Sequence, residues 1–268
     1  MIGTIILFIA ILGLLVFVHE AGHFFIAKRS GMKVDEFGFG FPPRVFGVQK
    51  VDGKWRIVWG HKQPDSTETT VYSINWIPLG GFVKIVGENN EAIDDPKSFI
   101  NKPFFPRLLT LLGGVLMNVV LAWILFSAGY MVGLPVAVNI DDELPRGARL
   151  ENVQTAIAEV VENSPAAKAG LQPGDVIISI DGKELSSITE VQEYIKSNKG
   201  KQFEISFQRV DAPMSAMVQS LAEPPEGQGP TGVALATIGL LKLPWYSALI
   251  EGAGTTYRQL GAIVVGLY

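Results

Sequence analysis

The sequence contains no cysteine, three histidines and few charges, with Asp, Glu, Lys and Arg making up 18% of 268 residues. The missing cysteines exclude disulfides and thiolate metal ligands, but they say little about the cellular compartment. The net charge of −4 gives no electrostatic case for a nucleic-acid partner. Hydrophobic residues make up 48% of the chain, and this apolar content with so few charged residues is high for a soluble protein.

Three apolar segments predict membrane helices, over residues 1–27, 108–134 and 245–268. A hydrocarbon core of about 30 Å requires about 20 apolar residues, and the first two segments supply them. The third is weaker because it contains Glu251 and Arg258. A cleaved signal peptide fits the first segment poorly, since no basic residue precedes it and no small-x-small site follows it. The fold class is therefore a polytopic α-helical membrane protein.

The charge distribution predicts the topology of these helices. Residues 28–107 contain twelve Lys and Arg, whereas residues 135–244 contain nine Lys and Arg and fifteen Asp and Glu. The positive-inside rule then places residues 28–107 in the cytoplasm and both the N-terminus and residues 135–244 outside.

The cytoplasmic segment, residues 28–107, is expected to be rich in β-strands. β-branched and aromatic residues predict strands at 55–59 and 69–77, while glycines and prolines predict turns at 37–43 and at the start of 77–85. Several aromatic residues here fit contact with the membrane interface. A small cytoplasmic sheet with no role towards substrate fits equally well.

The exterior segment has clear start and stop signals for a short helix. Ser164 is a predicted N-cap, Pro165 suits the first helical position, and Gly170 suits the position after a helix over 166–169. Downstream, Thr189 with Gln192 predicts a capping box for a second helix. The remaining predicted elements are strands at 175–180 and 201–208, a hairpin turn at 181–182 and a loop at 222–230. The pattern indicates a compact α+β domain over 156–240, after a linker at 135–155.

Residues 164–183 resemble a PDZ domain of the kind found in bacterial proteases. The resemblance implies that the domain binds chain ends or extended segments by adding a strand to a sheet edge. In the permuted form of such domains, the loop facing the peptide carboxylate comes late, and Gly232 and Val233 are the candidate binding residues. The alternative is a domain that binds no peptide and only filters substrates by size.

The segment His-Glu-Ala-Gly-His at residues 19–23 carries the chemistry. On a helix, positions i and i+4 lie about 40° apart, so His19 and His23 can present two imidazole nitrogens to one metal ion. Neutral imidazole suits Zn²⁺, and Glu20 is placed to act as the general base for water. Chance would give this pattern in roughly one chain of this length in a hundred. A soluble zinc protease would need an amphipathic helix here, whereas the flanks are apolar all round.

For two further polar residues, a role unrelated to catalysis has to be weighed against a functional one. His61 lies in a polar stretch and is expected to be a solvated loop residue rather than a ligand. Asn118 lies in the second apolar segment, where an amide can link membrane helices or can position a substrate carbonyl or oxyanion.

Together these motifs resemble the site-2 protease family of intramembrane zinc metalloproteases, in particular the bacterial branch that activates sigma-E. The resemblance rests on residues 18–24, 37–40, 78–84 and 113–118 and on the PDZ-like segment. It implies that His19 and His23 bind zinc and that Glu20 is the catalytic base of a zinc metalloendopeptidase. It also implies a bacterial inner-membrane location and single-span membrane substrates, such as anti-sigma factors and signal-peptide remnants.

The sequence departs from this family in one respect. Its third zinc ligand is expected to be an aspartate in a Leu-Asp-Gly motif, and no such motif occurs here. Glu251 and Asp211 are poor substitutes because neither lies in a matching motif. We therefore expect a C-terminally incomplete chain that is inactive by itself. The alternative is an inactive homologue that serves as a PDZ-bearing membrane adaptor.

Overall fold

The computed structural model divides into two compact units, residues 1–124 and 125–268. It describes residues 2–60, 62, 64, 66, 68–89, 91–92, 94–138, 144–185, 187–210, 212–225 and 227–266. His61, expected to be a solvated loop residue, and Asp211, judged a poor substitute for the third zinc ligand, lie outside the described residues.

The first unit combines two long helices with a β-sheet. Its elements are α1 (Ile2–Arg29), β1 (Val34–Val51), β2 (Lys54–Trp59), β3 (Val71–Ile85) and the start of α2 (Phe104–Val132). Both helices are long and apolar enough to cross a bilayer. A helix satisfies the backbone N–H and C=O groups within its own segment, which hydrocarbon requires, and the runs of Leu, Ile, Val and Phe give each helix an apolar surface.

The sheet of the first unit has the strand order β2-β1-β3. β1 lies between the two halves of β3, since Glu36 pairs with both Val71 and Lys84. The turns predicted at 37–43 and at the start of 77–85 are instead bends within β1 and β3. Gly40 and Gly80 adopt positive φ values of 80° and 77°, so the chain bends there without leaving the sheet.

One face of this sheet is exposed and aromatic. Trp55, Ile57 and Trp59 project from the same side of β2, and Trp76 of β3 is 69% exposed. Contact of these aromatic residues with the membrane interface stays a prediction.

The second unit holds a sheet of seven strands and two shorter helices, followed by a long helix. Its further elements are β4 (Leu134–Val138), β5 (Arg149–Val160), α3 (Pro165–Lys168), β6 (Val176–Ile180), β7 (Lys183–Glu184), α4 (Ile188–Ser197), β8 (Gln202–Arg209), β9 (Ala212–Gln219), β10 (Val233–Lys242) and α5 (Trp245–Gly266). The strand order is β4-β10-β5-β6-β8-β9, with β7 paired to β6. Buried apolar side chains from the central strands and from α4, among them Phe203, Phe207 and Val191, form the core.

Three features of this unit differ from the sequence-based expectation. Residues 135–155, expected to be a linker, contain β4 and the start of β5, because β10 extends far enough to pair with both. The second helix begins after Ser187, whose hydroxyl accepts the Glu190 N–H at 3.2 Å, so Thr189 lies inside the first turn. α5 is not among the helices long and apolar enough to span a membrane.

Candidate metal centre and peptide groove

The motif His19-Glu20-His23 lies in the C-terminal half of α1. The imidazole and carboxylate atoms that could bind a metal all lie within 4.8 Å of one another, and each residue is half-buried. The two rings have centroids 4.9 Å apart and meet at 70°. Among the described residues, these three form the one such group of His, Asp and Glu. Glu251, on α5, does not belong to it.

The polar atoms next to both imidazoles come from α2. The Nδ1 of His23 lies 2.6 Å from the carbonyl oxygen of Thr110, and the Nδ1 of His19 lies 3.3 Å from the Nδ2 of Asn118. The chain directions of α1 and α2 are therefore opposite at this crossing. Sequence reasoning selected Asn118 but missed Thr110, because a backbone carbonyl leaves no signal in the residue type.

Glycines bring the two helices close enough for these contacts. A Cβ atom on Gly113 would lie 2.8 Å from the carbonyl oxygen of Gly22, and one on Gly22 would overlap the backbone of Gly113. One residue further along α2, a Cβ on Gly114 would overlap the ring of His19. Small residues permit this close backbone approach in membrane helices.

The sheet also reaches this part of α1. A Cβ on Gly80, in the bend of β3, would overlap the side chain of Val16, and one on Gly13 would lie 3.4 Å from the Gly80 nitrogen. A Cβ on Gly81 of β3 would lie 3.1 Å from the Cδ2 of Phe17 on α1. β3 therefore packs against α1 directly before the metal cluster.

The donor set fits Zn²⁺. The Nδ1 atoms of His19 and His23 already have polar neighbours on α2, which leaves the Nε2 atom of each ring as the candidate metal ligand. The Nε2 end of the His19 ring also packs against Gly114 of α2. The carboxylate of Glu20 lies beside both rings. Imidazole nitrogens with an adjacent carboxylate are ligands and base of the type used by zinc hydrolases. A catalytic site commonly uses three protein ligands, and the two imidazoles supply two of them.

In the second unit, a groove of about 210 Å³ separates α4 from the start of β10. Its lining residues are Gln192, Ile195, Lys196, Gly229, Pro230, Thr231, Val233 and Leu235. Val233 lies in the groove lining, and its contact with a peptide stays a prediction. Gly232 adjoins it with a φ of 74°, and its N–H donates to the carbonyl of Gly229 at 3.0 Å. The contribution of α4 was not foreseen, because the sequence did not show which helix packs beside β10.

Comparison with known protein families gives two matches. Residues 7–60 match peptidase family M50, the site-2 proteases, and residues 157–209 match the PDZ domain. A solved PDZ domain of the SdrC-like protein from Listeria monocytogenes is 30% identical, covering 31% of this chain and 86% of that one, with a TM-score of 0.28.

Curated relatives match over a larger part of the sequence. The proteins from Clostridium perfringens, Nostoc sp. and Thermotoga maritima, each named "Putative zinc metalloprotease", are 30%, 31% and 37% identical. The matches cover 93%, 86% and 67% of this chain, and 62%, 57% and 30% of the respective relatives. The chain thus spans less than two thirds of the length of these relatives.

Proposed function

We propose that this chain, a relative of the site-2 proteases of peptidase family M50 with a PDZ domain, is the zinc-binding and recognition part of an intramembrane metalloprotease. The observation that carries the proposal is the cluster of His19, Glu20 and His23 within an apolar helix. Ionisable groups at membrane depth are costly and usually serve a function, and a shared metal ion would account for all three.

The residues divide the chemistry of peptide hydrolysis between them. His19 and His23 would hold Zn²⁺ through their imidazole nitrogens. The ion, when bound, supplies Lewis-acid chemistry, which acidifies water and polarises a scissile carbonyl. Glu20 takes a proton from the attacking water and passes it to the leaving amine. A catalytic zinc site commonly uses three protein ligands, and among the described residues His19 and His23 are the two imidazole ligands of this cluster.

The substrates we propose are single-span membrane proteins, including anti-sigma factors and signal-peptide remnants, in the bacterial inner membrane. The support is the position of the metal cluster within an apolar helix that is long enough to cross a membrane. The groove between α4 and β10 supports recognition of an extended segment or chain end by the PDZ domain, with Val233 beside the added strand. The N-terminus and PDZ domain lie outside, according to the charge distribution.

The test compares two substitutions in the full-length protein reconstituted in lipid. Glu20→Gln should retain stoichiometric zinc and lose cleavage of a single-span substrate, because the base is lost and the ligands are kept. His23→Ala should lose both. Exposed Lys183→Gln, in the PDZ domain, is the control and should cleave normally. Normal cleavage by Glu20→Gln would remove the role assigned to that carboxylate.

The same experiment separates the protease from the alternative, an inactive PDZ-bearing adaptor. Both the protease and the adaptor are expected to bind a peptide in the groove between α4 and β10. An adaptor would retain peptide binding but show neither zinc nor cleavage in the full-length protein.

A further inference from the structure

The side-chain amide of Asn118 lies beside the ring of His19, but the positions assigned to its Oδ1 and Nδ2 atoms do not match the hydrogen bonds that are available to them. The Nδ2 of Asn118 lies 3.3 Å from the Nδ1 of His19, while the Oδ1 is buried and has no hydrogen-bond partner. If His19 carries its proton on Nδ1, two donors face each other. If it carries the proton on Nε2, that nitrogen has no lone pair for a metal.

Rotating the amide by 180° removes this conflict. The oxygen and nitrogen of an amide are nearly equivalent in shape, so their assignment depends on the hydrogen bonds they make. After rotation, Oδ1 accepts the Nδ1–H of His19. Nδ2 then occupies the buried position in which Oδ1 had found no hydrogen-bond donor. Within a helix every N–H is already bonded, but the carbonyls keep a second lone pair, so a donor is more easily satisfied there than an acceptor.

We propose that Asn118 is a positioning residue for the metal centre. Its Oδ1 accepts the Nδ1–H of His19 and so fixes both the ring orientation and the tautomer that leaves Nε2 free for zinc. His23 has the matching arrangement, since its Nδ1 lies 2.6 Å from the carbonyl oxygen of Thr110. Acceptors behind zinc-binding histidines orient the ring and raise its basicity.

This inference rests on the proposed function, but it differs from the two roles that the sequence left open for Asn118. An oxyanion-stabilising amide would use Nδ2 on substrate. An amide that only links the helices would affect stability and leave metal binding unchanged. Here the acceptor oxygen is the active atom, so an aspartate should replace it and an apolar residue should not.

The direct test is the tautomer of His19 in the unmodified chain. Histidine ¹⁵N NMR of the metal-free protein in lipid nanodiscs should show His19 protonated and hydrogen-bonded at Nδ1, with a free Nε2. Resonances are assigned with a His19→Gln variant. Finding the proton at Nε2 would overturn the proposal, and this measurement does not depend on whether any variant folds.

The second test measures zinc affinity by competition with a chromogenic chelator. Asn118→Leu, which keeps similar volume without an acceptor, should weaken zinc binding about 10- to 100-fold. Asn118→Asp should bind zinc at least as tightly as the parent chain. Gln154→Ala, which removes an exposed amide on β5 outside the metal cluster, is the control and should bind unchanged.

The other outcomes each reject the proposal. If both Asn118 variants bind zinc normally but the same substitutions abolish cleavage by the full-length protein, the amide is an oxyanion donor. If both bind normally and only the melting temperature falls, it links helices. In these cases the proposed protease stands, because the parent chain still binds zinc. If the parent chain itself binds no zinc, the proposed function fails together with this inference.

Discussion

Gly114→Ala tests how closely α2 must approach the metal cluster. A Cβ on Gly114 would overlap Nε2 of His19, the atom proposed to bind zinc, and would lie 2.5 Å from Cδ2 and Cε1 of the same ring, whereas ordinary van der Waals contact begins at 3.4 Å. The ring or the helix must therefore move by the difference, about 0.9 Å. Displacements of about 1 Å in a functional group can cost as much as 100-fold in its effectiveness. We expect zinc affinity to fall 10- to 100-fold, as when the support of a metal ligand is lost.

The assay is chelator competition for zinc, together with the absorption spectrum of the Co²⁺-loaded chain, which reports ligand geometry. Gly3→Ala is the matched control, because a Cβ at Gly3 would meet no atom within 4 Å. It should leave both measurements unchanged. If Gly114→Ala binds zinc as tightly as Gly3→Ala does, the close packing of α2 on the His19 ring is not required and the reasoning fails.

The remaining predictions concern the PDZ domain and use amide hydrogen exchange of residues 157–209 in the intact chain. Ser187→Ala should lower the stability of the helix that follows it by about 0.5–2 kcal/mol, because the Ser187 hydroxyl caps that helix. Thr189→Val should lower its stability by less. Equal losses of stability in the two variants would contradict this assignment. Burial alone would raise the pKa of Asp175, but hydrogen bonds from Arg209 and from the Gln172 N–H outweigh it and hold that pKa below its usual range. The resulting stability is complete above pH ~4, the unfolded pKa, and is lost as the pH falls through the lower folded pKa. Exchange protection should therefore decrease in acid, and Asp175→Asn should flatten this dependence; an unchanged profile would refute the role of the ion pair.

Local patterns identified many of the elements. The α3 N-cap is correct: Ser164 accepts the Ala167 N–H at 3.1 Å, and Gly170 follows with a φ of 82°. The strand predicted at 55–59 is β2. These signals succeed because caps, turns and β-branched runs act over a few residues.

The errors occur where distant segments decide the structure. Residues 37–43 contain two glycines and two prolines, which predict a turn, yet they remain in β1 because both halves of β3 pair with it. The prediction of Thr189 as N-cap was wrong, because Ser187 also precedes an acidic residue, Glu190, by three positions and its hydroxyl accepts the Glu190 N–H. Packing of Val191 and Ile195 into the core is compatible with the helix that begins after Ser187.

The sequence alone determined that two imidazoles and a carboxylate share one face of an apolar helix, since helical geometry fixes the spacing of positions i, i+1 and i+4. It also determined the PDZ-like segment, whose caps and turns are local. Only the tertiary structure decided what surrounds the metal ligands: the carbonyl of Thr110 behind His23, the amide of Asn118 behind His19, and the glycine contacts that admit α2. Those contacts join residues separated by almost a hundred positions, and nothing in the covalent chain specifies them until the helices pack.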